Sequence, residues 1–200
     1  MNTDTPASNK IRLGILGGCF DPITKSHLNA CNNALSLNHV DLIWILPAYT
    51  SLNGKQMMAT PTQRLHMCDL AIKENNNNKI TLCPYEIENE LKNPTFEILE
   101  GLKKHYSLDT DYDLHFIIGT DNAIHLHQWH HYDEFIKNYK FIVIPRQGYE
   151  LNKIPDGCFV LDCERLPGSS TLVRNDFIKY NNLLHQSVIN YAQECRIYKL

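Results

Sequence analysis

Two short stretches carry residue types whose spacing suits phosphate chemistry. The first is GGCFDPITKSH, Gly17 to His27. Paired glycines, Gly17 and Gly18, permit positive φ and let a ligand's phosphates approach backbone N–H groups closely. Asp21-Pro22 reads as a turn, and the helix after it would carry Thr24 and His27 near its start. A helix N-terminus beneath a glycine turn attracts anions, because its unpaired N–H groups and its dipole point the same way. The run matches neither G-x-G-x-x-G nor G-x-x-x-x-G-K-[ST], which excludes the usual dinucleotide fingerprint and the Walker-type ATPases.

The second stretch is PGSSTLVRND, Pro167 to Asp176. Ser169, Ser170 and Thr171 offer hydroxyls and N–H groups at the start of a helix. Arg174 falls one turn further, on the face shared by Ser170 and Thr171. Hydroxyl caps with an inward arginine make a receptor for a triphosphate. Read singly, each stretch also fits an ordinary capped helix start; their conjunction is what points to a nucleotide.

Other residues of chemical interest say less. His125, His127, His130 and His131 crowd together, and H-x-H can hold zinc, but no carboxylate or Cys completes a recognised spacing. They read as a surface cluster flanking Trp129, with no protein metal ligand expected. Seven cysteines contain no C-x-x-C pair and read as reduced, small hydrophobes packed in a reducing cytosol. Trp44 sits within a strand pattern and reads as core. Lys25 fits a phosphate contact and a solvated side chain equally well.

The elements that would position these residues alternate along the chain. IRLGILGG from Ile11, DLIWILPA from Asp41, ITLCPYEIE from Ile80, LHFIIG from Leu114, FIVIP from Phe141 and CFVLDCERL from Cys158 read as strands. Helical patterns cover Ser26 to Leu37, then a segment capped by Thr60, Pro61 and Gln63 that runs through Ile72 with Leu65, Cys68 and Ile72 on one face. Further helices follow Pro94 and close the chain at about Thr171 to Tyr180 and His185 to Cys195. Asn75 to Asn78 reads as a loop. This order predicts an α/β fold: a Rossmann-like, mostly parallel sheet flanked by helices, with C-terminal helices. Ligands in such folds bind at the carboxyl ends of strands, here just after Gly17, Pro47, Ile118 and Leu166.

The 200 residues suit a flexible tail over 1–10 and a single domain over 11–200. A hydrophobic share of 43% with 20% charged excludes wholesale disorder. A net charge of −3 argues against nucleic acid as a partner. The apolar runs are far too short for a bilayer span, and the polar start MNTDTPASNK lacks a signal peptide's apolar centre. A cytoplasmic protein without a membrane partner is expected; a homo-oligomer is compatible with the sequence.

Taken together, the motifs resemble those of the nicotinate-nucleotide adenylyltransferase family in the nucleotidyltransferase superfamily. GGCFDPITKSH resembles the (H/T)-x-G-H signature, and GSSTLVR the S-S-T-x-x-R signature. FIIGTDNAIHLHQW resembles the family's G-x-D followed by Trp, PRQG its R-P-G turn, and NPTFEIL its T-x-x-T-L stretch with Thr95 aligned. Three positions depart from the pattern: Thr24 stands for the first His, Ser26 for the Gly, and SLNGK keeps only Lys55 of a P-P-H-K element.

The resemblance implies adenylyl transfer from ATP to nicotinate mononucleotide, forming deamido-NAD and pyrophosphate in NAD biosynthesis. It implies that His27 and Thr24 contact the α-phosphate while Ser169, Ser170, Thr171 and Arg174 hold the β- and γ-phosphates. Gly17, Gly18, Phe20, Lys25, Gly119 and Asp121 would complete the ATP site, with Asp121 on a ribose hydroxyl. Trp129 would stack on the pyridine, with Thr95, Lys55 and Arg146 also on the mononucleotide. Mg²⁺ would arrive on the ATP phosphates. Rival implications are nicotinamide mononucleotide as acceptor, phosphopantetheine adenylyl transfer, and a nucleotide-binding member without turnover.

Overall fold

The computed structural model describes residues 10–51, 54, 56–164 and 170–198. Expectations about the N-terminal tail, Lys55 and Ser169 therefore lie outside the described residues.

Strand β1 (Ile11–Gly18) is followed by helix α1 (Lys25–Ser36), β2 (Leu42–Pro47), α2 (Pro61–Asn75) and β3 (Ile80–Leu82). After the one-turn α3 (Tyr85–Glu88) come α4 (Thr95–His105), β4 (Tyr112–Gly119), the short α5 (Thr120–Ala123), α6 (Tyr132–Asn138) and β5 (Lys140–Ile144). Strand β6 (Cys158–Val160) precedes α7 (Ser170–Asn175), α8 (Phe177–Tyr180) and α9 (Gln186–Glu194). The strands form one sheet in the order β3-β2-β1-β4-β5-β6, and every pairing is parallel. The order reverses between β1 and β4, so the carboxyl ends of these two neighbours flank the crevice where such folds take ligands.

Both faces of the sheet are covered. Ile43, Ile45 and Ile117 pack against Leu28 and Cys31 of α1, Met67 and Cys68 of α2 and Val188 of α9. Leu13, Ile15, Phe116 and Phe141 face Leu99 and Leu102 of α4 and Phe135 of α6. Trp44 is half-buried against this second core, edge-on to Tyr106 at 5.1 Å. The α/β architecture expected from the alternation of patterns is what the chain adopts.

Four local expectations need correction. ITLCPYEIE is a strand only over Ile80–Leu82; Pro84 then opens α3, since β3 is an edge strand with β2 alone to pair. The last strand stops at Val160 for the same reason, pairing only with β5. The helix expected over Thr171 to Tyr180 breaks at Asp176, which has φ −154° and caps α8 by accepting the Lys179 N–H. In α2 the Thr60 capping box forms, but of the expected face only Cys68 is fully buried, beside Arg64, Met67 and Ala71, while Ile72 packs partly buried on the same core. The cysteines are all free; Cys31, Cys68 and Cys83 are buried as expected, whereas Cys195 is exposed. Burial pushes the Cys31 thiol up to about 12. Among the described residues no helix is long and apolar enough to cross a membrane.

Candidate active site

The β1–α1 connection is held from three directions. Its Asp21-Pro22 peptide is cis, and the Asp21 side chain is buried. Asp21 accepts the N–H groups of Met58 at 2.8 Å and Ala59 at 3.2 Å, and the Tyr198 hydroxyl at 2.8 Å. Arg174 donates to the Asp21 carbonyl at 2.7 Å, and the Ser170 hydroxyl donates to the Pro22 carbonyl at 3.0 Å. The two sequence motifs, about 150 residues apart, thus dock on one another directly.

Thr24 is the N-cap of α1, with the extended backbone that position requires. Its N–H donates to His27 Nδ1 at 3.0 Å, and its hydroxyl lies 2.9 Å from the same nitrogen. Because Nδ1 accepts the Thr24 N–H, the neutral imidazole carries its proton on Nε2. His27 is also fixed edge-on by Phe20, ring centroids 5.1 Å apart. The result is an oriented N–H donor at the first turn of a helix.

A cavity of about 470 Å³ opens over these groups. Gly17, Gly18, Phe20, His27, Ser170, Thr171 and Arg174 line it, together with Gly119, Asp121 and Arg146 from the ends of β4 and β5. Arg174 is steadied by donating to the Thr171 hydroxyl at 2.9 Å. The Thr120 hydroxyl donates to the Ile144 carbonyl and accepts the Arg146 N–H, tying the two strand ends together. Arg146 donates to Asp121 Oδ2 at 3.2 Å, and its Nε stands 3.2 Å from Asp121 Oδ1 as an ion pair without hydrogen-bond alignment. Gly119 leaves room for this pair, since a Cβ there would push against the Arg146 and Asp121 side chains.

A second cavity, about 390 Å³, adjoins the first and shares Gly17, Gly18 and Cys19 as a common wall. Three aromatic rings line it, Phe96 from α4, Phe116 from β4, and Trp129, whose ring stands 6.2 Å from Phe116 and 6.0 Å from Phe135, alongside Glu86 and Lys92. Thr95, the first residue of α4, lines the same space, where the helix's opening N–H groups lack intrahelical partners.

Among the residues singled out from sequence, His27, Phe20, Asp121, Ser170, Thr171 and Arg174 meet in the cationic cavity, with Thr24 buried behind His27. Thr95 and Trp129 meet in the aromatic one. Two residues stand elsewhere. Arg146 lies in the cationic cavity rather than beside Trp129, because β5 ends next to β4 in the Gly119–Ile144 register. Lys25 is exposed and donates to the Asn182 carbonyl at 3.0 Å, lining neither cavity.

Two residues of the site escape the sequence. Arg64 is fully buried on α2 and donates to the carbonyls of Cys19 and Ala48, each at 2.6 Å, and of Tyr49 at 2.9 Å. It clamps the connections that leave β1 and β2, and burial pulls its pKa down. Glu86 of α3 lines the aromatic cavity; burial pushes its carboxyl up to about 7 against the Tyr49 N–H and the Arg64 charge. The capping-box helix hid Arg64 because an arginine on an amphipathic helix ordinarily faces water.

Known proteins match this arrangement over nearly its whole length. The cytidylyltransferase-like family pattern fits residues 15–176. The nicotinate-nucleotide adenylyltransferase of Bacillus subtilis is 31% identical over 192 residues, covering 94% of this chain and 98% of that protein. Among solved structures, Plasmodium falciparum nicotinic acid mononucleotide adenylyltransferase complexed with NaAD superposes with a TM-score of 0.77. It is 24% identical, with 94% of this chain and 97% of the other covered. Its complex with APC gives 0.74 at the same identity. At that identity the likeness speaks for the fold.

Proposed function

The chain belongs to the nicotinate-nucleotide adenylyltransferase family, within the cytidylyltransferase-like nucleotidyltransferases, and from that premise we propose that it joins ATP to nicotinate mononucleotide. A 5′-phosphate oxygen of the mononucleotide attacks the α-phosphorus in line, the bond to the bridging oxygen breaks, and pyrophosphate leaves with that electron pair. The substrate supplies the nucleophile, so the protein's task is positioning and charge stabilisation. The observation that carries the reading is the shared Gly17–Cys19 wall, which lets a phosphate in each cavity meet beside His27.

In this reading His27 Nε2–H donates to the α-phosphate oxygens, and Thr24 holds the imidazole in the required tautomer. Arg174, Ser170 and Thr171 receive the β- and γ-phosphates; Asp121, ion-paired with Arg146 but without an aligned donor on Oδ1, takes a ribose hydroxyl. Arg146 orients Asp121. Trp129 stacks on the pyridine ring, and the N–H groups at the start of α4, with Thr95, receive the carboxylate. Both oxygens of Asp21 are already taken by donors and Asp121 faces Arg146. That donor set suits Mg²⁺ carried on the nucleotide phosphates rather than a resident ion. So bound, Mg²⁺ neutralises charge that builds on the leaving pyrophosphate.

At the start of α4 a carboxamide's NH₂ would face N–H donors rather than acceptors, at ~1–3 kcal/mol for the polar groups left unpaired. Initial rates of pyrophosphate release with ATP and each acceptor test the reading: nicotinate mononucleotide, nicotinamide mononucleotide and phosphopantetheine. The acid form should be preferred by ~10–100-fold in kcat/KM over the amide. Equal constants or a preference for the amide would overturn the acceptor assignment, and absence of turnover with all three would overturn the reaction.

A further inference from the structure

Three side chains at the rim of the aromatic cavity form a group that the proposed reaction does not use. Glu97 lies in the first turn of α4, two residues beyond Thr95, and His130 and His131 directly follow Trp129. Each offers one ligand atom, and the three atoms lie within 4.8 Å of one another. His130 Nδ1 is 2.8 Å from Glu97 Oε1, and His131 Nε2 is 3.7 Å from the same oxygen. Glu97 Oε2 is buried and has no hydrogen-bond partner among the described residues, an unfavourable state for a carboxylate oxygen.

His131 has φ 56° and ψ 38°, in the left-handed region; six other non-glycine residues among those described also have positive φ. The two consecutive imidazoles, ring centroids 4.3 Å apart, meet one carboxylate. Glu134 Oε2 stands 3.7 Å from Nδ1 of His131, the ring nitrogen turned away from Glu97. A carboxylate behind a ligating imidazole orients the ring and raises its basicity.

We propose that Glu97, His130 and His131 form a binding site for a divalent transition-metal ion of the zinc class. Two imidazoles and a carboxylate are a borderline donor set that zinc accepts in tetrahedral geometry, with water in the fourth position. Ligand atoms around such an ion stand about 3.3 Å apart for bonds of about 2.0–2.1 Å. The observed 2.8 and 3.7 Å separations bracket that value, and the two imidazole nitrogens lie within 4.8 Å of each other. Magnesium, which requires oxygen ligands, is disfavoured here. A bound ion ties α4 to the segment after Trp129, two walls of one cavity. The carboxylate lies 33 residues from His130 in sequence, which is why no ligand spacing betrays it.

The test is calorimetric titration of the metal-free full-length chain with zinc chloride, without nucleotide or magnesium, so its outcome is independent of the adenylyl-transfer reading. One equivalent should bind at micromolar or tighter affinity and raise the melting temperature. His131→Ala and Glu97→Gln should each weaken binding by at least ~10-fold, whereas His125→Ala should leave it unchanged. Cobalt substitution should give weak visible bands without the intense thiolate charge transfer that the chain's cysteines would produce. Failure to bind at millimolar zinc, binding that survives both His131→Ala and Glu97→Gln, or a strong thiolate band would each overturn the proposal.

Discussion

The two cavities share a wall but are built on different principles. The cationic cavity is made of short-range devices: Thr24 orients His27 three residues away, and Thr171 steadies Arg174 three residues away. The two pieces then lock through Asp21 and Pro22. The aromatic cavity has no such motif. Its rings come from β4, α4 and the segment after α5, and they meet through tertiary packing alone. Handling charge on a phosphoryl group demands donors placed to within tenths of an ångström, which a helix cap and one turn provide locally. Holding a flat ring demands only apolar surface at the right spacing, which many folds of the chain can deliver.

The sharpest way to break this contrast is His27→Ala. A donor whose contact strengthens in the transition state should be felt in kcat, which is expected to fall by ~10²–10⁴ with little change in either KM. Steady-state kinetics would show it, and a variant retaining kcat would remove the central premise about the cationic cavity. The second largest effect concerns the shared wall. Arg64→Ala leaves three inward carbonyls without their donor, costing about 3 kcal/mol or more of stability. Because Arg64 holds the connections after both β1 and β2, it should raise both KM values together. Arg64→Lys should rescue only in part, since one ammonium cannot span three carbonyls in a plane. Denaturant unfolding beside two-substrate kinetics would check both halves.

How much of this was legible before folding follows the same contrast. The parallel sheet was readable because buried strands between amphipathic helices leave continuous apolar runs, and Gly17-Gly18 and Ser170-Thr171 punctuate strand-to-helix junctions. His27 and Arg174 were readable for the same local reason. Arg146, expected on the mononucleotide, lines the other cavity because its neighbour is set by sheet order, not by its own turn. Arg64 was missed, and Asp21 was read only as a turn residue, because their partners are backbone groups far along the chain. Glu97 was missed beside the histidines because it lies 33 positions from His130 in sequence. Edge strands β3 and β6 were overestimated, since apolar content alone says nothing of how many neighbours a strand will have.

Arg174 sharpens the contrast within the cationic cavity. Its guanidinium is anchored by the Asp21 carbonyl and the Thr171 hydroxyl and lines the cavity. Arg174→Ala should raise the KM for ATP by ~10-fold or more, the scale of one charge-assisted contact, and leave the mononucleotide KM nearly unchanged. Arg174→Lys keeps the charge but not the fork and should remain impaired. Equal weakening of both substrates would mean that the two cavities are not energetically separate.

The smallest expected effect belongs to the aromatic cavity alone. Glu86 lines it, and burial raises its carboxyl to about 7. The sign follows directly: below that value the buried group is neutral, and as pH rises through it the cavity gains a negative charge. An anionic pyridine carboxylate entering the same space should then bind less well. The mononucleotide KM should climb by ~2–5-fold between pH 6 and 8, a size set by the high effective dielectric at a partly open site, with the ATP KM unaffected. The mononucleotide's own phosphate also titrates near this range, so wild type alone would be ambiguous. Glu86→Gln resolves it, because substrate titration persists in the variant while the Glu86 contribution vanishes. The difference between the two profiles is the quantity to measure. A variant whose KM still climbs as steeply as the wild type would show that the Glu86 charge does not reach the acceptor, and the aromatic cavity would then discriminate by its N–H donors alone.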